Sequence, residues 1–329
     1  MRVAGVIAEY NPFHSGHALH LTSTRAAGCT HIAVVMSGNY TQRGEPAVIG
    51  KASRCAAAMS AGADLVLELP LAWATSSAEG FARGGVSLLA ALGCVSVLSF
   101  GSESGSVDEI RAWAKRLDAL EGGEVLKRHL KDGVSFPTAR QAAAEELFEG
   151  TLPPRGPNDL LAAEYLRAAA ALGVEFEPLA IPRAGAAHDS QGAPRMQGEI
   201  ASASAMRRLI CAGEWERAMS GTTPEAAALY QAERGAGRTP FDYGLFGSIA
   251  LARLRSLEKS DFAALGDVCE GLENRVYAAV REAVSLPELY EHIKTKRYTM
   301  SRVRRIVLAA CLGVPARERT CMPPYLRVL

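Results

Sequence analysis

The sequence predicts an α/β protein, with a doubly wound, Rossmann-like parallel sheet followed by a smaller all-helical C-terminal domain. Three observations carry this expectation. Five short runs, 3–8, 32–36, 65–69, 95–100 and 174–179, are apolar without alternation, as strands covered on both faces require. Helix-period segments at 17–27, 51–61 and 77–92 separate the first four, so successive strands are joined by right-handed crossovers. Beyond about residue 240 the pattern is helical as far as Leu312.

The first strand lies in Gly5-Val-Ile-Ala-Glu-Tyr-Asn-Pro-Phe-His-Ser-Gly-His17, breaks at Asn11-Pro12 and restarts as a helix near Gly16. His14 and His17 stand at that helix start. Unpaired N–H groups and positive partial charge there suit a phosphate, and Gly16 lets the backbone approach it. A zinc pair is the weaker reading, because two histidines three apart with no nearby Cys or carboxylate supply too few ligands, and we expect no metal held by this pair. Strand, turn, His-x-Gly-His and helix resemble the layout of the nucleotidylyltransferases and class I aminoacyl-tRNA synthetases.

The second strand runs into the polar, turn-rich stretch Ser37-Gly-Asn-Tyr-Thr-Gln-Arg-Gly-Glu-Pro46, which reads either as a ligand-facing loop or as a plain surface loop. Lys51 and Arg54, one turn apart on the next helix, are candidate site-lining cations. Gly101 closes the fourth strand, where a flat ring could approach. Residues 107–150 read as a helical insertion broken at Gly122-Gly123 and Phe136-Pro137, and the Pro/Gly-rich 152–158 returns the chain to the sheet. Asn158 with Asp159 opens a helix, as ligand contact, as N-cap or as both. Arg183 follows the fifth strand. Residues 199–207 start a further helix with hydroxyls and an arginine, Ser204 and Arg207, resembling the Ile-Ser-Ser/Ala-Thr-x-Ile-Arg triphosphate motif of nucleotidylyltransferases. Residues 221–240, rich in Gly, Thr and Pro, suggest a boundary between domains 1–220 and 221–329.

At 329 residues the chain can bury two cores. Seven cysteines without CxxC spacing exclude a zinc ribbon and a disulfide framework, and Cys29, Cys55 and Cys94 fall in apolar contexts where a free thiol behaves as a small hydrophobe. A reducing, cytoplasmic setting follows, and no apolar run is long enough to span a membrane. The net charge of +1 hides an asymmetry: residues 292–329 hold nine Lys/Arg and one acidic residue, against 27 and 34 in the rest. Lys294, Lys296, Arg297, Arg302 and Arg305, beside Tyr298 as a stacking ring, suit an RNA backbone. Val303, Ile306, Val307 and Ala310 form the apolar stripe of that helix.

Together these stretches resemble one family, the bacterial tRNA(Met) cytidine acetate ligases. The resemblance is carried by 8–17, 36–46, 62–70, 100–103, Asn158-Asp159, 202–207, 270–274 and 294–299, in order along nearly the whole chain. Tyr40-Thr41 stands where Phe-Val is usual, and Ser204 where Thr is usual. It implies activation of acetate by ATP with Mg²⁺, then acetyl transfer from acetyl-adenylate to N4 of the wobble cytidine of elongator tRNA(Met), with no part for a membrane or DNA. It implies His14 and His17 as catalytic residues. The implied nucleotide site comprises Ile7, Ala8, Glu9, Tyr10, Asn11, Pro12, Phe13, His14, Ser15, Gly16, His17, Ala18, Leu19 and His20, with Gly101, Asn158, Arg183, Ser204 and Arg207. Two alternatives stay open: an adenylyltransferase acting on a small phosphorylated coenzyme precursor, and a non-catalytic tRNA-binding module with a regulatory nucleotide pocket.

Overall fold

A computed structural model describes residues 1–148, 156–183, 202–269, 271–319 and 327–329. Strand β1 (Val3–Ala8) leads through a loop to α1 (Ser15–Ala26). Then come β2 (His31–Ser37), α2 (Lys51–Ser60), β3 (Leu65–Leu69), α3 (Leu71–Ala74), α4 (Ala78–Ala91) and β4 (Val95–Ser102). The insertion forms α5 (Val107–Leu120), α6 (Glu124–Lys131) and α7 (Phe136–Leu147), and α8 (Pro157–Ala171) returns to β5 (Glu177–Pro182). Next are α9 (Ala203–Cys211), α10 (Trp215–Met219) and α11 (Pro224–Gly235). The helical end of the chain holds α12 (Tyr243–Arg255), α13 (Lys259–Ala263), α14 (Leu272–Glu282), α15 (Leu286–Ile293) and α16 (Met300–Leu312).

The five strands pair in parallel in the order β3-β2-β1-β4-β5, and Val328 adds an antiparallel bridge to Leu67 of β3. Strand order reverses between β1 and β4, which opens a ligand crevice beyond their carboxyl ends. The apolar runs dictate the layering, since strands without a polar face need cover on both sides. One face packs under α4, α5 and α8, the other under α1, α2 and α9 to α11. A third core joins α12 to α16 and reaches Ala72 of α3. Two glycines set the closeness of α4 to β1: a Cβ on Gly5 would lie 2.6 Å from Leu89 Cδ1, and one on Gly85 2.7 Å from Ile7 Cδ1. Among the described residues no helix is long and apolar enough to cross a membrane.

Several expectations need correction. The fifth strand begins three residues later than its apolar run, because Gly173 takes φ +65° and Val174 N–H turns back to Ala169 O at 3.0 Å, which ends α8. The break expected at Phe136-Pro137 is instead the first turn of α7, capped by Ser135. Gly156 is the N-cap of α8, so Asp159 sits in its first turn rather than capping it. Cys94 is exposed in the turn before β4. Within 221–240, read as a domain boundary, residues 224–235 form α11, whose Ala226 and Tyr230 are buried in the core beside α2. Residues 149–150 and 152–155 of the expected insertion and link, 199–201 of the hydroxyl-rich start, and Glu270 lie outside the described residues.

Candidate functional site

The loop after β1 is held from both sides. Tyr10 sits at φ +49°, in the left-handed region that non-glycine residues rarely occupy, and the Asn11-Pro12 peptide is cis. Phe13 N–H donates to the Tyr230 hydroxyl at 3.0 Å, the Thr222 hydroxyl donates to Phe13 O at 2.9 Å, and Ser15 N–H donates to Gly221 O at 3.1 Å. Across the loop, Val48 N–H donates to Asn11 Oδ1 at 2.9 Å. The segment read as a boundary is therefore the clamp on the histidine loop. Those clamp residues were not legible as site residues, since nothing in their spacing points to Phe13, 217 positions away from Tyr230.

His14 is the N-cap of α1 and His17 its third residue, and the two form a capping box out of imidazoles. Gly16 N–H donates to His14 Nδ1 at 3.0 Å, and His14 N–H donates to His17 Nδ1 at 3.2 Å. A neutral ring that accepts at Nδ1 carries its proton on Nε2, so both caps leave an Nε2–H donor. Burial, then the nearby Arg183 and Arg207 charges, pushes the His14 pKa down to about 3. Burial and then His14 hold His17 well below its ordinary value. Both rings are therefore neutral donors at pH 7, stacked with centroids 3.7 Å apart. His20, one turn further on, is pushed down to about 4 chiefly by burial, and its Nε2 lies 2.9 Å from Ser99 Oγ in β4.

The other predicted residues gather around this pair with different roles. Arg207 on α9 donates to Asn11 O at 2.7 Å and to Ser204 Oγ at 3.1 Å, while Ser202 caps the helix through Ala205 N–H. Arg183 N–H donates to Ser102 O, and a Cβ on Gly101 would lie 3.6 Å from Arg183 Cγ, so that arginine crosses the glycine at the crevice mouth. Asn158 donates to Glu103 Oε1, and Asp159 N–H to Glu103 Oε2 at 3.0 Å. The buried Asp159 carboxylate in turn accepts from Ser102 Oγ, Glu103 N–H at 3.1 Å and Ser104 N–H at 2.9 Å. Asp159 thus builds the turn after β4, a role its neighbourhood in sequence did not reveal.

Within 7–20, Ile7 and Ala8 finish β1 and Pro12 lies buried in the loop, while Ser15, Gly16 and Ala18 are half-buried on the first turn. Tyr10 and Phe13 are 1% and 0% exposed, so their rings support the loop from below. Leu19 faces solvent at 39% exposure, away from the histidine row. Glu9 accepts from Gln42 N–H at 2.6 Å, and burial raises its pKa. Arg54 is not a lining residue but a fully buried clamp, donating to Ile49 O, Glu9 O, Ser37 O and Gly38 O. Lys51 is spent on Glu68, 2.7 Å away. Among the described residues no group of three His, Cys, Asp or Glu converges as a metal site.

On the helical side, Val303, Ile306, Val307 and Ala310 are buried as the stripe requires. Lys294 and Lys296 are exposed, and Arg297 is half-buried. Arg302 donates to Asp267 O at 2.7 Å and stacks 5.0 Å over Tyr298, and Arg305 lies 3.6 Å from Asp267. Tyr298 is only 8% exposed beneath that arginine, so the expectation of an open stacking ring is not met.

A family model described as HIGH Nucleotidyl Transferase matches residues 1–329. A tRNA(Met) cytidine acetate ligase of Thermoanaerobacter sp. (strain X514) is 36% identical over 341 residues, covering all of this chain and 83% of the relative. One of Syntrophomonas wolfei is 36% identical, with 100% and 81% covered. The crystal structure of apo Thermotoga maritima TmcAL superposes with a TM-score of 0.92 at 35% identity, over all of this chain and 80% of that one. The same protein bound with alpha-thio ATP gives a TM-score of 0.90. With its parallel sheet, its imidazole-capped helix and this likeness over its full length, the chain belongs to the tRNA(Met) cytidine acetate ligase family of HIGH nucleotidyl transferases.

Proposed function

We propose that the chain is an ATP-dependent ligase that makes acetyl-adenylate and passes the acetyl group to N4 of the wobble cytidine, position 34, of elongator tRNA(Met). The observation that carries this reading is the pair of neutral imidazoles, each with Nδ1 committed to the α1 cap and Nε2–H left to donate, beside Arg183 and Arg207. A relative's complex with an ATP analogue supports the nucleotide as the occupant.

In the first step a carboxylate oxygen of acetate attacks the α-phosphorus and pyrophosphate leaves. Charge builds on phosphate oxygens, where the two Nε2–H groups and the Arg207 guanidinium, held by Asn11 O and Ser204, stabilise it without reorganising, and the more exposed Arg183, 4.0 Å from Glu103, adds a further positive charge. Ser204 positions Arg207, and Asn158 with Asp159 holds the Glu103 turn beside Gly101, where we place the adenosine. Magnesium, when bound, would neutralise charge on the ATP phosphates, and among the described residues no group of three His, Cys, Asp or Glu would hold it. In the second step the cytidine amine attacks the acyl carbonyl, AMP leaves and the amine loses a proton. The anticodon loop must be splayed for its base to reach the crevice. Lys294, Lys296 and Arg297 supply backbone contacts, with Arg302 and Arg305 shaping the surface that carries them. We place the enzyme in the cytoplasm, where ATP and tRNA meet.

The test uses purified protein, ATP, Mg²⁺, labelled acetate and elongator tRNA(Met). N4-acetylcytidine at the wobble position with release of AMP is the expected result. Acetylation only with acetyl-coenzyme A would overturn the mechanism, and AMP transferred to a phosphate acceptor would favour the adenylyltransferase alternative.

A further inference from the structure

The loop between β2 and α2 was read as a surface loop or a ligand-facing one, and the structure makes it a link between two parts of the molecule. Residues 39–48 fold on themselves through Thr41 N–H to Glu45 O at 3.0 Å, Gly44 N–H to Thr41 O at 2.9 Å and Ala47 N–H to Asn39 O at 2.8 Å. One side is fastened to the histidine loop, by Gln42 N–H to Glu9 Oε1 at 2.6 Å and Val48 N–H to Asn11 Oδ1 at 2.9 Å. The other side is fastened to the helical part. Glu45 pairs with Arg304 of α16, the Tyr243 hydroxyl donates to Pro46 O at 3.0 Å, and the Thr239 hydroxyl donates to Val48 O at 2.8 Å.

Gly44 is the tightest point. It holds φ +75°, and a Cβ there would lie 2.5 Å from the backbone nitrogen of Arg305 and 2.6 Å from the carbonyl carbon of Arg304. Those neighbours are helix backbone and cannot swing aside, so any side chain at 44 must push the loop off α16. Arg304 and Arg305 belong to the basic block whose neighbours we assign to RNA.

We infer that residues 39–48 are a positioning strap, with Gly44 and the Glu45–Arg304 pair setting where an RNA seated on the helical part presents its nucleotide to the acyl-adenylate. The inference rests on the functional reading above. A fixed distance between the two sites matters for the second step, because only the tRNA has to reach both, whereas acetate and ATP are small and meet at the histidine loop. Loosening the strap should therefore spare adenylation and impair transfer, and misplacement by about 1 Å can cost about 10²-fold in rate.

Gly44→Ala, Glu45→Arg, Arg304→Glu and the double variant Glu45→Arg/Arg304→Glu test this, each checked for wild-type melting. Acetate-dependent ATP–pyrophosphate exchange without tRNA reads the first step. Single-turnover formation of N4-acetylcytidine at saturating tRNA(Met) reads the second. The strap predicts near-wild-type exchange in all four, transfer reduced by about 10- to 100-fold in the three single variants, and recovery in the charge-swapped double. Should Gly44→Ala melt early, the charge swap alone decides. Transfer unchanged in the single variants, exchange falling in step with transfer, or no recovery in the double would overturn the inference. Wild-type protein that makes no N4-acetylcytidine would overturn the functional reading and the strap with it, whereas wild-type transfer beside unimpaired variants refutes the strap alone.

Discussion

His17 does two jobs through two nitrogens, and substitution can separate them. Its Nδ1 accepts from His14 N–H at 3.2 Å, one half of the capping box, and its Nε2–H is the donor we assign to phosphate. In His17→Asn, Oδ1 stands the same number of bonds from the backbone as Nδ1, so the cap can persist while nothing occupies the Nε2 position. His17→Ala removes both, along with a ring whose centroid lies 4.8 Å from that of Tyr10. Loss of a cap costs about 1 kcal/mol, or roughly 2–4 °C in Tm for a large domain. Loss of one fixed donor to a developing charge costs about 2.7–4 kcal/mol, or roughly 10²–10³ in rate. Urea melts should therefore rank wild type and Asn together above Ala, while acetate-dependent AMP formation should collapse in both variants. Either variant forming AMP within about tenfold of wild type would show that Nε2–H is not at the phosphate. Equal stability of Asn and Ala would show that the cap is not the structural role.

Burial holds the folded-state pKa of His14 to about 3 and of His20 to about 4, below the ordinary 6.5, so between these values the unfolded chain binds more protons. Their contribution to stability is present above pH 6.5 and lost as pH falls toward 4; urea midpoints that stay flat from pH 7 to pH 5, roughly the upper part of that window, would contradict their burial as neutral rings. Arg54→Met should destabilise by about 3 kcal/mol or more, because it strips the donors from four carbonyls and each buried acceptor left unsatisfied costs roughly 1–3 kcal/mol, and a smaller loss in denaturant melts would mean those carbonyls find water. Lys294→Ala with Lys296→Ala should leave melting unchanged and lower the salt dependence of tRNA binding by about one unit of slope for each lost phosphate contact. Arg302→Ala should instead lower the melting temperature, because its guanidinium bonds Asp267 O and covers Tyr298; a variant with wild-type melting and lost tRNA affinity would return that side chain to the RNA surface.

The sheet was legible because short apolar runs separated by helix-period segments suit strands covered on both faces, and the histidine loop was legible because local spacing marks a helix start. What local spacing could not tell was which distant groups meet. Arg54 reads as a site cation on its helix, and only the pairing of β1 with β2 brings the Glu9 and Ser37 carbonyls to it. Arg302 and Tyr298 read as an RNA face because the Asp267 carbonyl that holds Arg302 over that ring lies 35 positions upstream in a segment without a pattern. Residues 221–240 read as a boundary for the same reason. Gly, Thr and Pro mark the ends of short helices as well as linkers, and the order of packing decides which.

The clamp on Phe13 also bears on how this protein could be made or cut. Strand β1 and helix α1 are complete within the first 26 residues, yet the bonds that hold Phe13 and Ser15 in the loop between them come from Gly221, Thr222 and Tyr230. A nascent chain would have its sheet before its phosphate loop, and the loop would set only after α11 had been synthesised and docked. Expression of residues 1–220 alone should accordingly give a soluble sheet with a slack histidine loop and no grip on ATP. Extension through α11 is the shortest change expected to restore it, and the two fragments compared by nucleotide titration would show where this enzyme first becomes one.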